Sequence, residues 1–145
     1  MLFISFLGSW KSILFLNLLI AIYLINKRQI KLFFIIAISS LSYFFIVDPL
    51  KLLFQQPRPL NIYETSFSFP SGHAYSAVTF YGLISYLLYK KYKYKSIPII
   101  GTIFILLISY SRIFLNVHYL RDIVAGLLLG LIWLIITIKY EDKKN

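Results

Sequence analysis

The chain has 145 residues, 59% of them hydrophobic and 19% aromatic, with a formal net charge of +10. Soluble domains are about 45–50% apolar. A chain this short and this apolar cannot hide its surface in one water-facing core, which excludes an ordinary soluble domain and leaves an integral membrane protein. There is no cysteine, so disulfide frameworks and thiol chemistry are excluded as well.

The positive charge would suggest nucleic acid on a soluble protein. Here it falls in clusters: Lys27, Arg28 and Lys31; then Lys90, Lys91, Lys93 and Lys95; then Lys139, Lys143 and Lys144. Each cluster borders an apolar run, the positive-inside pattern of cytoplasmic anchors, and such anchors also touch anionic headgroups. The expected partners are the bilayer and its lipids, with no nucleic acid.

In chain order, Met1 to Ile25 is apolar except for Gly8-Ser9-Trp10-Lys11-Ser12. It reads either as one long span or as an interfacial piece followed by a shorter span. Trp10 and Lys11 suit an interface. A cleaved signal peptide is disfavoured, because no basic residue precedes the apolar region and no small-residue cleavage site follows it. After a basic turn, residues 32–53 form the second span, with Asp48 and Lys51 spaced i, i+3 for pairing. Residues 55–69 are too polar for lipid and hold Pro57 and Pro59 as breakers. Pro70-Ser71-Gly72 opens a third span over 71–89. A fourth covers 96–113. The fifth covers 121–139 and carries Gly126 and Gly130 as an i, i+4 pair that permits close helix approach. With the first span over 10–25, the expectation is an all-α, polytopic membrane helix bundle of about five transmembrane helices in one domain, 1–145. All three basic clusters then share the cytoplasmic side, the N-terminus lies outside, and the two polar turns share the outer face.

Once the basic clusters are set aside, the remaining ionisable groups are Lys11, Asp48, Lys51, Arg58, Glu64, His73, Arg112, His118, Arg121 and Asp122. All but Lys11 fall in or beside the two outer turns. Five scattered spans have no packing reason to concentrate them there, so a binding or catalytic site at the outer membrane face is the economical explanation. In a helix from His118, Asp122 is i+4 and about 6 Å along the axis. A carboxylate so placed accepts a proton from one imidazole nitrogen and leaves the other lone pair available. Arg112 offers a planar fork that fits phosphate.

Taken singly, each group also has an ordinary structural role. Lys51 and Arg112 can snorkel, and Asp48 can pair with Lys51. Arg58 and Glu64 can be loop residues, and Arg121 a surface residue. Pro70-Ser71-Gly72 can be a turn and helix start, with His73 a capping or interface residue. His118 and Asp122 can be a pair that holds a helix end.

The joint pattern is more specific. It reads Lys51 with Arg58-Pro59, then Pro70-Ser71-Gly72-His73, then Ser111-Arg112 with His118 and Asp122. In this the chain resembles the type-2 phosphatidic acid phosphatase superfamily, whose relatives include the vanadium-dependent haloperoxidases. The three signatures, Lys-x6-Arg-Pro, Pro-Ser-Gly-His and Ser-Arg-x5-His-x3-Asp, are met without a mismatch and in order. They cover Lys51 to Asp122, and the layout extends over the last four spans. The departure lies at the N-terminus, where members of the membrane branch commonly carry one more span. That bears on how the lipid tail is held and on whether a second subunit completes the bundle. A homo-oligomer is therefore a further expectation.

The resemblance implies His118 as the nucleophile on phosphorus, Asp122 as the group that holds its imidazole, and His73 as the acid for the leaving oxygen. It implies Lys51, Arg58, Arg112, Ser71 and the backbone N–H of Gly72 as phosphate ligands. Those residue types fit the chemistry, because phosphoryl transfer depends largely on positioning and on stabilising charge spread over three oxygens. Three cations and a helix N-terminus supply that stabilisation without a metal. With five acidic residues, two of them in the C-terminal tail, a carboxylate magnesium cage is not expected, and no cofactor is called for. The substrate expected at such a site is a membrane lipid phosphate or diphosphate. Polyprenyl diphosphate is first, with phosphatidylglycerophosphate and phosphatidate as alternatives. A lipid phosphotransferase and a non-enzymatic lipid-phosphate binder are the rival readings. Ionisable groups at helix ends rather than in mid-span argue against a transporter.

Overall fold

The structure is a computed structural model and describes residues 1–59 and 66–143. Every apolar run of the sequence is helical. Helix α1 is Leu2–Leu7, α2 is Trp10–Asn26 and α3 is Ile30–Phe54. Helix α4, Gly72–Ala77, runs through a π turn at Val78–Gly82 into α5, Leu83–Tyr92. Helices α6, Ser96–Phe114, and α7, Leu120–Lys143, complete the chain. Three helices, α3, α6 and α7, are each long and apolar enough to cross a membrane, and α2 is a shorter apolar helix. At 1.5 Å per residue α3 is about 38 Å long, more than the roughly 30 Å of bilayer hydrocarbon.

The N-terminal region resolves the two readings of its sequence. Gly8 and Ser9 break the helix, and the Ser9 hydroxyl accepts from the Ser12 backbone N–H at 3.2 Å, an N-cap that starts α2 afresh. The result is a short helix followed by a longer apolar one, with exposed Trp10 and Lys11 at the junction.

Large apolar side chains such as Phe45 and Leu53 point outward at 79% and 74% exposure. That is a liability in water and the expected state in lipid. Inside, Ile13, Leu24, Ile35, Ile36, Phe80 and Leu83 join α2 and α3 to the π turn and the start of α5. The Ser39 hydroxyl of α3 donates to the Thr79 carbonyl in the π turn at 3.2 Å. The Gly126/Gly130 pair works as its spacing predicts. A Cβ on Gly126 would lie 2.4 Å from the Ser71 carbonyl oxygen, and one on Gly130 would lie 2.9 Å from the Val78 Cβ. Only glycine lets α7 approach α4 this closely.

The two ends of the bundle differ. Lys90 Nζ lies 2.7 Å from Glu141 Oε2 and 2.7 Å from Asp142 Oδ1, which ties the second basic turn to the end of α7. Tyr23 and Gln29, beside the first basic turn, line the same groove as Lys90, Lys91 and Glu141. At the opposite end lie α1, the 66–71 segment and the turn between α6 and α7.

Candidate active site

The site is assembled where two connections meet. The Ser71 backbone N–H donates to the Asp122 carbonyl at 2.9 Å, and Arg58 Nη1 donates to the Val117 carbonyl at 2.9 Å. The segment after α3 is thereby fastened to the start of α7, next to the close contact that Gly126 allows. Lys51, Arg58, Ser71, Gly72, Arg112, His118 and Asp122 are all buried. His73 is half-buried on the first turn of α4 and lies within electrostatic reach of Lys51, Arg58, Arg112 and His118. All the residues singled out in the three signatures gather at this one end. Glu64 lies outside the described residues.

His118 sits in the turn before α7. Its Nδ1 is 3.4 Å from Asp122 Oδ2, and its Nε2 is 3.0 Å from Arg58 Nη1. A guanidinium has donors only, so Nε2 must be the acceptor and the proton must reside on Nδ1, facing the carboxylate. Burial pushes the imidazole down to about 4. The Asp122 hydrogen bond opposes that shift, and the charges of Arg58, Arg112 and Lys51 add to it. The ring is therefore neutral at physiological pH, with its lone pair on the cationic side.

Asp122 is completely buried. Its Oδ2 accepts from the Ser68 hydroxyl in a very short bond and from the Tyr119 N–H at 2.9 Å, and its Oδ1 accepts from Gln56 Nε2 at 3.3 Å. These donors satisfy a carboxylate that burial alone would make costly. Ser68 and Gln56 were not singled out in the sequence. A signal for Ser68 was available. Ser66 and Ser68 alternate with Phe67 and Phe69, and an extended backbone puts such a pair on one face. Ser66 serves the cations: its carbonyl accepts from Arg58 Nε at 2.7 Å and its hydroxyl from Arg58 Nη2 at 3.0 Å.

Lys51 reaches the loop that follows α3. Its Nζ donates to the Phe67 carbonyl at 2.9 Å and to the Ser66 hydroxyl at 3.4 Å. A buried ammonium needs several acceptors, and the loop folded over the end of α3 offers them in a cluster. Gly72 lies against α3. The room left by its missing side chain is taken by the ring of Tyr43, 2.5 Å from where a Cβ would stand. Ser71 occupies the N-cap position of α4 but makes no capping bond, and its buried hydroxyl has no hydrogen-bond partner among the described residues. Arg112 donates through Nη1 to the Ser5 hydroxyl of α1. Arg121 is a surface residue, as the sequence suggested, with its guanidinium over the Tyr119 ring at 5.2 Å.

Apolar helices that cross a bilayer more than once, holding two imidazoles and three buried cations at one end, define a multi-pass membrane protein with a cationic, imidazole-bearing site. Residues 28–145 match the PAP2 superfamily, and the chain belongs to that superfamily. It is similar to phosphatidylglycerophosphatase B of Bacillus subtilis (strain 168), 36% identical over 88 residues that cover 57% of this chain and 43% of that protein. It is also similar to undecaprenyl-diphosphatase of Sulfolobus acidocaldarius, 34% identical over 119 residues that cover 76% of this chain and 55% of that protein. The chain thus spans about half the length of these two relatives. Among solved structures, it superposes on a transmembrane PAP2-type phosphatidylglycerolphosphate phosphatase from Bacillus subtilis with a TM-score of 0.90 at 27% identity, covering 98% of this chain and 75% of that one. It superposes on LpxE of Aquifex aeolicus with a TM-score of 0.71 at 31% identity, covering 94% and 82%.

Proposed function

We propose that the protein is a membrane lipid phosphatase that removes the terminal phosphate of a lipid phosphate or diphosphate through a phosphohistidine on His118. The observation that carries this reading is the geometry of His118: Nδ1 faces Asp122 and Nε2 faces the Arg58 guanidinium, an arrangement that suits a neutral ring with its lone pair on Nε2. In the free site Arg58 covers that lone pair. An incoming phosphate gives Arg58 a better acceptor, so Nη1 moves to a phosphate oxygen as Nε2 is released toward phosphorus. Lys51 and Arg112 balance the charge on the remaining oxygens, and the Ser71 hydroxyl and Gly72 N–H are further donors.

In the first step the N–P bond forms and the P–O bond to the leaving group breaks. His73 gives its proton to the departing oxygen. In the second step water attacks phosphorus, His73 takes the water's proton, and inorganic phosphate leaves as Nε2 is restored. Asp122 steadies the imidazolium throughout. Charge stabilisation comes from the three cations, so hydrolysis proceeds without a metal ion.

A lipid substrate fits the surroundings. An apolar groove of about 820 Å³ runs between α2 and α3, lined by Ile13, Leu14, Ala21, Phe33, Tyr43 and Ser76. Tyr43 joins it to the site at Gly72. A chain lying in this groove would bring its headgroup to the start of α4. The basic turns at the far end support an extracytoplasmic site, by the positive-inside rule. Polyprenyl diphosphate is the first choice of substrate, supported by the relative that aligns over 119 residues. Phosphatidylglycerophosphate is the second, supported by the fold likeness at a TM-score of 0.90.

The test is phosphate release by purified protein in detergent, with EDTA present, from polyprenyl diphosphate, phosphatidylglycerophosphate and phosphatidate. Release from at least one of them is expected. Binding of all three without release would leave a lipid-phosphate binder. Transfer of labelled phosphate to an added alcohol in preference to water would make it a phosphotransferase.

A further inference from the structure

The superfamily match begins at residue 28, so α1 lies outside it. Yet α1 touches the site twice. Ser5 is 4% exposed, and its hydroxyl receives Arg112 Nη1. Gly8 is buried against α4 and α6: a Cβ there would stand 2.4 Å from Ile108 Cγ2 and 3.3 Å from His73 Cδ2. Between these contacts the Leu7 carbonyl accepts from the Tyr81 hydroxyl at 2.8 Å, which pins the end of α1 to the π turn. The outer face of α1 is Leu2, Phe3 and Phe6, exposed at 72%, 73% and 55%. One face of this helix is therefore apolar and turned outward, while the other is a small hydroxyl and a glycine against two groups of the site.

We propose that α1 is a wall of the phosphate site and that Ser5 is a positioning residue for it, orienting the Arg112 guanidinium. This rests on the reading of Arg112 as a phosphate ligand. A guanidinium binds phosphate well only when its plane is set, because its donors form a rigid fork. Arg112 leaves α6 near the helix end on a long, flexible side chain. A hydroxyl that accepts from one Nη removes part of that freedom before substrate arrives, and preorganisation of this kind strengthens anion binding. Gly8 allows the arrangement, since any side chain there would lift α1 off Ile108 and carry Ser5 away from Arg112.

The test uses the full chain in detergent, with inorganic phosphate as probe and the dissociation constant read by calorimetry. Ser5→Ala is expected to weaken phosphate binding about 3- to 10-fold, the scale of one ordinary hydrogen bond, because Ser5 acts through Arg112 and does not touch the phosphate. Ser5→Thr, which keeps the hydroxyl, should recover most of the affinity. Gly8→Ala, made independently, should reproduce the loss. In lipid hydrolysis, Ser5→Ala should raise KM by a similar factor, with Ser5→Thr again close to wild type. Wild-type affinity in Ser5→Ala, or a loss that Ser5→Thr fails to recover, overturns the assignment. The binding readout needs no turnover. Weakened binding in a protein that hydrolyses no lipid would sink the phosphatase reading alone, and normal turnover with unchanged binding in Ser5→Ala would sink this one alone.

Discussion

Lysine and arginine stand at both ends of the bundle under opposite conditions. At one end Lys51, Arg58 and Arg112 keep only 5%, 7% and 4% of their surface. At the other, Lys27, Arg28, Lys31, Lys91, Lys93 and Lys95 are exposed. An exposed charge keeps its water and needs no partner, so its exact place matters little. A buried charge loses its water and must find acceptors within the protein. The loop from Ser66 to Ser68 supplies them. Its carbonyls and hydroxyls receive Lys51 and Arg58, and Ser68 completes the shell of Asp122. The difference teaches that placement separates an anchor from a site, and that the neutral residues around the buried charges are as informative as the charges.

The sharpest way to break this contrast is to remove its centre. His118→Ala should reduce phosphate release by at least about 10³-fold while the protein stays folded, as judged by its melting profile in detergent. Activity near wild type would show that the buried end is structural, like the other end. Ser68→Ala asks whether a neutral neighbour matters. It takes one donor from Asp122 and leaves all charges in place, so a roughly tenfold fall in kcat is expected. An unchanged kcat would confine the chemistry to the charged groups.

A third test uses pH. With His118 held down to about 4, its reactive neutral form persists well below the ordinary histidine range. Protonation consumes the lone pair as pH falls, so the acid limb of kcat/KM attributable to His118 should have its midpoint near pH 4. A midpoint near 6.5, the reference value for a solvated histidine, would mean that the buried end does not perturb its imidazole. The smallest effect belongs to the far end. Lys90→Ala breaks contacts to buried Glu141 and exposed Asp142 far from the site; it should lower stability, while both activity and KM stay within twofold of wild type. A large loss there would erase the distinction between the ends.

The sequence made part of this architecture legible, and the reasons are physical. Apolar runs of bilayer length have few alternatives to helix, because lipid offers no partner for free backbone groups. The Gly126/Gly130 spacing announced a close approach that the structure places against Ser71 and Val78. His118 and Asp122 were legible because the turn that carries His118 leads directly into the first turn of α7, which carries Asp122, so a contact four positions apart survives. What local pattern could not give was the partner of a buried cation. Lys51 sends its ammonium to a loop sixteen residues ahead, at Phe67. Ser5 was equally hidden, since its contact with Arg112 bridges 107 positions. Such contacts depend on the fold as a whole and leave no periodic trace.

The most direct measurement is turnover of a lipid substrate labelled in its terminal phosphate, quenched in alkaline detergent, followed by mapping of label retained on the protein. Label on His118, base-stable and acid-labile as expected for a phosphorus–nitrogen bond and absent from His118→Ala, is the predicted result. Label on another residue, or label that persists in His118→Ala, would contradict the assignment of His118 as nucleophile.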